Sequence, residues 1–194
     1  MSAPATTPQT RDFDGIAIPT AGTFTLDASH TTAEFVARHL MVTKVRGRFT
    51  DISGKITITE DPLSSSVEAT LATASISTGS ADRDGHLISP DFLDVANYPE
   101  ITFRSTGVKS HKGNEFVLLG DLTIHGVTKQ VELNVEFDGS VVNPWGQEVA
   151  AFSASTEIDR EDFGMTWNVA LETGGVLVSK KVKIEIAAQA KRDA

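Results

Sequence analysis

The chain has 194 residues, a formal charge of −9 and no cysteine. Its length suits one domain, or at most two small ones, with a sizeable core. Missing cysteine excludes disulfides, thiolate catalysis and cysteine-ligated metals, and the acidic balance argues against nucleic acid and anionic membrane surfaces as partners, a local basic patch aside.

Residues 1–21 are rich in Ala, Thr and Pro and lack periodicity, which predicts a mobile tail. No basic leader precedes an apolar run there, and no stretch reaches the ~20 apolar residues of a membrane span. A cytoplasmic protein with no stable membrane insertion is therefore expected. Period-two alternation with β-branched and aromatic residues then predicts strands at 23–27, 32–40, 47–59, 66–76, 101–109, 115–125, 127–138, 148–158 and 181–190. Turn signals separate them at Glu60-Asp61-Pro62, Lys112-Gly113-Asn114, His125-Gly126 and Asn143-Pro144-Trp145-Gly146. Residues 80–99, SADRDGHLISPDFLDVANYP, break the alternation, and short helical turns are expected within 82–96. With Leu87, Phe92 and Leu93 for packing and Gly85 as a hinge, this segment reads as a lid. Residues 160–175 are irregular, and no internal repeat or linker divides the chain. The expected domain is 22–190, with a C-terminal tail at 191–194.

Eight or nine strands joined mostly by short turns predict an all-β fold. The sheet is antiparallel and long enough to curl into a barrel of about eight strands or to pack as a sandwich. In DLTIHGVTKQVELNVEF (121–137), Val131, Leu133, Val135 and Phe137 share one face, and Gln130, Glu132, Asn134 and Glu136 the other. The same division recurs around Leu71, around Ile101 and Phe103, and around Ile184 and Ile186. Alternation alone fits a dry, filled core. Ala33, Ala37, Ala69, Ala150 and Ala154 at inward positions would leave it under-filled.

The five histidines, His30, His39, His86, His111 and His125, form no HxH or HExxH pair, so no metal set is expected. There is no GxSxG elbow and no glycine-rich phosphate loop. His30 in LDASH and His125 before Gly126 read as structural. His39 ends a strand whose inward residues are Phe35 and Ala37, which suits either a satisfied interior histidine or a cavity mouth. Arg160 in DRED reads as a pin that holds its loop through a carboxylate, with an anionic head group as its other use. Trp145 and Trp167 are expected to pack on the barrel. The residues themselves lead to a soluble barrel or sandwich with no visible catalytic set.

Five stretches together resemble the YceI-like family of polyisoprenoid-binding proteins. They are LDASHTTAEFVARHL (26–40), VRGRFTDISGKI (45–56), ISTGSADRDGHLISPDFLDVANYPEITF (76–103), LTIHGVTKQVEL (122–133) and FSASTEIDREDFG (152–164). The resemblance implies a lipocalin-like antiparallel barrel around an apolar tunnel. It implies a bound long-chain lipid (a polyisoprenoid, an isoprenoid quinone or a fatty-acyl-like molecule) held for storage, transport or protection, with no catalysis and no required cofactor. The tunnel wall would then be Phe35, Ala37, Phe49, Leu71, Ile101, Phe103, Val131, Leu133, Val135, Phe137, Phe152, Ile184 and Ile186, with His39 and Arg160 near the head group. The chain departs from the family pattern at Ser179, Lys180 and Lys181, where relatives often carry glycine and an acidic residue. Two other readings stay open: an enzyme acting on a bound amphiphile or small acid through His39, His86 or Asp91, and a stress-related structural or interaction protein with a filled barrel. A homodimer suits a small barrel, although no residue points to one.

Overall fold

A computed structural model describes residues 7–194. Asp14 and Gly15 make its first turn. Both have positive φ, 51° and 81°, as a two-residue hairpin turn requires, and they join β1 (Thr10–Phe13) to β2 (Ile16–Pro19). Where a mobile tail was expected, residues 10–19 are therefore a hairpin; residues 1–6 lie outside the described residues. Two four-residue strands are too short to hold alone. They persist because Ile18 and Pro19 are buried against the barrel and Arg11 ion-pairs with Glu60 at 2.9 Å.

The remaining strands are β3 (Gly22–Leu26), β4 (Thr32–His39), β5 (Thr43–Phe49), β6 (Ile52–Ile58), β7 (Ser66–Ala72), β8 (Ile76–Ser77), β9 (Glu100–Lys112), β10 (Glu115–Ile124), β11 (Val127–Val142), β12 (Glu148–Asp159) and β13 (Lys181–Arg192). Between β8 and β9 stand α1 (Ala81–Leu87), capped by Ser80 and with Asp82 and Asp84 in its first turn, and hydrogen-bonded turns over 88–98. Gly85 lies inside α1 and is no hinge; the left-handed glycine is Gly79, φ 78°, just before the helix.

Two boundaries differ from expectation. The stretch 47–59 is two strands, because β5 starts at Thr43 and breaks at Thr50-Asp51. The β4–β5 reversal uses Leu40 and Met41, with φ 53° and 60°, and carries none of the residues that announce such a turn. At the other end Arg192 still belongs to β13, and Asp193 donates its N–H to Thr23 O at 2.8 Å. The ladder thus extends into the supposed C-terminal tail.

Eight strands close on themselves in the order β12-β11-β10-β9-β7-β6-β3-β13, with β13 returning to β12. Closure removes the exposed edges of so long a sheet. The second edge of β13 is shared: its end pairs with β3, and Lys183–Ala187 pair with β4. From there β4, β5 and β8 continue as a flap. Register shifts in β9–β10 and β11–β12 are the bulges by which strands bend around a barrel.

His125 and Gly126 form the β10–β11 turn with φ 52° and 71°. The His125 ring lies 4.6 Å from that of Tyr98, and a Cβ on Gly126 would come within 2.5 Å of Tyr98 Cε1. Gly126→Ala therefore meets both an unfavourable φ and a clash, and is expected to cost about 1–3 kcal/mol. Thermal unfolding measures it; an unchanged melting temperature would mean that Tyr98 gives way freely.

Candidate functional site

The inward faces of the barrel strands enclose a cavity of about 360 Å³, a size within the ~300–1,000 Å³ typical of small-molecule sites. All the residues expected on the tunnel wall, from Phe35 to Ile186, bound it. In the β11 ribbon the expected faces hold: Val131, Leu133, Val135 and Phe137 meet the lumen, while Gln130, Glu132, Asn134 and Glu136 are exposed. A filled core would bury every inward side chain. Here Val131, Val135, Ile184 and Ile186 face inward yet are only half-buried, because they border open space. Ala33, Ala69 and Ala154 are on the wall and help leave that space, whereas Ala150 is fully buried at one end.

The two ends differ. The far end is solid: Phe24, Ala150 and Ala190 are completely buried together with Ile18, Ile58 and Phe137. Arg192 clamps it, donating to Glu148 at 2.7 Å and to the carbonyls of Thr20 and Ala21 at 3.0 Å, with its guanidinium 4.6 Å from the Phe24 ring centre. The near end is covered by the 80–99 segment, which turns Leu87, Phe92 and Leu93 toward the lumen. Its entry is pinned by Asp84, which accepts from Thr78 N at 2.8 Å, and its exit by Thr73, whose hydroxyl donates to Tyr98 O at 2.8 Å. Trp167 packs on this cover, 4.6 Å from His86 and 5.3 Å from Phe92. Trp145, by contrast, is 82% exposed and packs on nothing, because it sits at the tip of the β11–β12 turn.

Arg160 is the polar centre of the near end. It is only 3% exposed and reaches the lumen wall from the 3-10 turn Arg160–Phe163 that follows β12. Its Nε donates to Ser179 O at 3.0 Å and its Nη1 to Met165 O. It thus pins its loop as expected, but through backbone carbonyls rather than a carboxylate. Its Nη2 has no hydrogen-bond partner among the described residues. The neighbouring carboxylates are engaged elsewhere: Glu161 with Lys180 at 2.7 Å, and Asp159 with the Glu161 N–H at 3.0 Å. Burial pushes the guanidinium's pKa down, opposed by Glu161 and Asp159, and the strongly basic guanidinium stays a cation. Met165 and Val178 also bound the lumen here and were not legible as site residues, since in VLVSKK (176–181) three apolar residues precede three polar ones without alternation.

His39 is not part of this wall. It is exposed at the end of β4, where its backbone bridges Val178, because the β4–β5 hairpin runs on past the last inward pair, Ala37 and Val45. His86 and Asp91 do meet, at 2.9 Å, but on the outside of the cover, and neither bounds the lumen. His30 is structural: it joins Asp27 at 2.8 Å. Hydrogen bonds from Ser29, then Lys191 and His30, hold the Asp27 carboxyl well below the usual carboxylate range. Among the described residues no group of three or more His, Asp or Glu is placed to hold a metal.

The YceI-like domain model matches residues 24–190. The chain belongs to the YceI-like family. A UPF0312 protein of Staphylococcus aureus strain N315 is 39% identical over 171 residues, spanning 86% of this chain and 95% of that protein. Among solved structures the YceI-like barrel is similar to the YceI protein of Campylobacter jejuni, with 28% identity, a TM-score of 0.69, and 81% and 90% of the two chains covered. It shares its fold with BcnA of Burkholderia cenocepacia (22% identity, TM-score 0.71, 84% and 98% covered). It also shares it with a polyisoprenoid binding domain of Saccharophagus degradans (16% identity, TM-score 0.64, 90% and 100% covered). The β1–β2 hairpin precedes the matched segment and packs on the far end through Ile18.

Proposed function

We propose that this YceI-like protein binds one long-chain amphiphilic lipid, an isoprenoid, an isoprenoid quinone or a fatty-acyl-like molecule, and carries or shields it without chemical conversion. The observation that carries the reading is the pairing of an apolar lumen with the buried Arg160, whose Nη2 is unpartnered. A buried cation with no counter-ion is costly, and a carbonyl, phosphate or carboxylate head group entering at the near end relieves that cost. The tail then runs toward the closed end at Phe24. The fold shared with a polyisoprenoid binding domain supports the same reading.

Apolar burial sets the expected selectivity. One five-carbon unit is worth ~3–4 kcal/mol gross at ~0.8 kcal/mol per carbon, and association costs about 4–15 kcal/mol. Several units must be enclosed before binding is tight. Affinity across isoprenoids sharing one head group should rise by about 100-fold or more per fully enclosed unit, then level off when the lumen is full. Titration with a prenyl series measures this; equal affinity for short and long members would reject the lumen as the binding site.

Lipid must pass the 80–99 cover, whose ends are pinned and whose middle offers Leu87, Phe92 and Leu93 to the lumen. A ligand that packs against these side chains stabilises the closed cover. Amide hydrogen exchange in 80–99 is expected to slow on addition of lipid. Slowing confined to the β1–β2 hairpin would place the entrance at the opposite end.

A further inference from the structure

The β4–β5 turn breaks two local rules at once. Leu40 and Met41 occupy the two positive-φ positions of a two-residue hairpin turn, closed by Val42 N–H donating to His39 O at 3.1 Å. Asn-Gly is the natural occupant of such a turn, and bulky residues are strained there. Leu40, Met41 and Val42 are also 45%, 49% and 77% exposed, and Val169 of the adjoining loop is 45% exposed. That loop lies alongside: Leu40 N–H donates to Leu177 O at 2.8 Å. An apolar tip held in this conformation violates local preference while leaving about half of Leu40 and Met41 exposed, and such violations mark functional surfaces.

The flanks are basic on an acidic protein. Arg38 and Lys44 stand directly opposite each other on the outer face of the hairpin, a like-charge pair that opposes strand pairing. Among the described residues neither they nor Arg48 has a carboxylate partner, whereas Arg46, between them, is paired with Glu185 at 3.0 Å. Glu172 is the one carboxylate in the adjoining 166–178 loop. The tip also stands beside the near end of the lumen: Ser179 donates its N–H to Arg38 O at 2.9 Å and accepts from Arg160 through its own carbonyl at 3.0 Å.

We infer that the β4–β5 tip is a peripheral docking element for an anionic phospholipid bilayer. Leu40, Met41 and Val42 enter the interface, Arg38, Lys44 and Arg48 meet lipid phosphates, and the lumen's near end is brought to the membrane. A projecting apolar turn ringed by unpaired cations complements a soft anionic surface. The other strongly exposed apolar tip, at Trp145, lacks this complement: the cations of the neighbouring strand end, Lys191 and Arg192, are already paired with Asp27 at 2.9 Å and Glu148 at 2.7 Å. Docking is reversible, and no helix among the described residues is long and apolar enough to cross a membrane.

The test is sedimentation of the full chain with vesicles of phosphatidylcholine alone or mixed equally with phosphatidylglycerol, at low and high salt. The parent should bind the anionic vesicles, weakly or not at all the neutral ones, and release with salt. Arg38→Gln with Lys44→Gln should weaken binding about 25-fold, roughly five-fold per cation. Leu40→Asn with Met41→Gly should weaken it more than about 30-fold and yet melt at or above the parent temperature, because Asn-Gly suits the turn. This separates lost docking from lost folding. Trp145→Ala should bind as the parent does. The inference is overturned if the parent ignores anionic vesicles, if the Asn-Gly protein binds undiminished, or if only Trp145→Ala loses binding. It is equally overturned if sedimentation velocity shows a dimer that the tip variants dissolve with no vesicle binding, which would make the tip a contact between copies. The prenyl series is read without vesicles, so failure here leaves the lumen assignment standing.

Discussion

Val135→Phe is expected to lower affinity for a long-chain lipid by at least about 100-fold while moving the melting temperature by only a few degrees. Val135 points into the lumen between Phe116 of β10 and Ala154 of β12, and it is half-buried because open space lies before it. The added ring enters that space. Displacing a single five-carbon unit forfeits ~3–4 kcal/mol of burial, which is two decades or more in affinity. In a filled core the same change would overpack and cost about 1–3 kcal/mol of stability. Asn134, its neighbour on the strand, is exposed on the outer face, so Asn134→Phe should alter neither quantity. Lipid titration and thermal unfolding of the two variants decide the matter. Intact binding in Val135→Phe would refute the lumen as the ligand's place.

Arg160→Met should act on both stability and selectivity. The thioether keeps the apolar length but leaves Ser179 O and Met165 O, now bonded by the guanidinium, without donors. Buried groups left unpaired cost about 1–3 kcal/mol each, so the melting temperature is expected to fall by roughly 5–15 °C. The parent should prefer a carboxylate- or carbonyl-headed lipid to a bare hydrocarbon of equal length by about 10- to 100-fold, the worth of a hydrogen bond to a charged group. Arg160→Met should erase that preference. Arg160→Lys should recover little of either property, since an ammonium cannot reproduce the fork that spans two carbonyls and a ligand. A preference retained in Arg160→Met would assign the head group to another residue.

The wall of the lumen was legible because alternation is a local code. Val131, Leu133 and Val135 had to share a face whatever the strand paired with, and any closed sheet turns one face inward. The His125-Gly126 reversal and the helical break at 80–99 were legible for a like reason, since their residues state their own backbone preferences. Less clear were the features that tertiary contact imposes against local preference. Leu40-Met41 takes a turn conformation that neither residue favours, so β5 was fused with β6 in the sequence reading. Asp14-Gly15 suits a hairpin turn but reads as part of a tail, because two four-residue strands gain their stability only from the barrel end they cover. His39 and Arg160 shared one expectation, and only the three-dimensional course of β4 and β12 separates them. One runs past the mouth into solvent, and the other turns its guanidinium under the cover.

By itself, then, the sequence determined the all-β class, the two faces of each ribbon, the helical break at 80–99 and, by resemblance, the family. The first three follow from side-chain periodicity and turn chemistry within short stretches of chain; the family follows from the resemblance of five stretches taken together. Only the tertiary structure decided whether the inward face is filled or hollow, because emptiness depends on how far apart opposite walls stand once eight strands close. It also decided that Arg160 is bound through two carbonyls with one nitrogen left free. The partners of a buried cation come from Met165 and Ser179, on loops whose paths local pattern does not set.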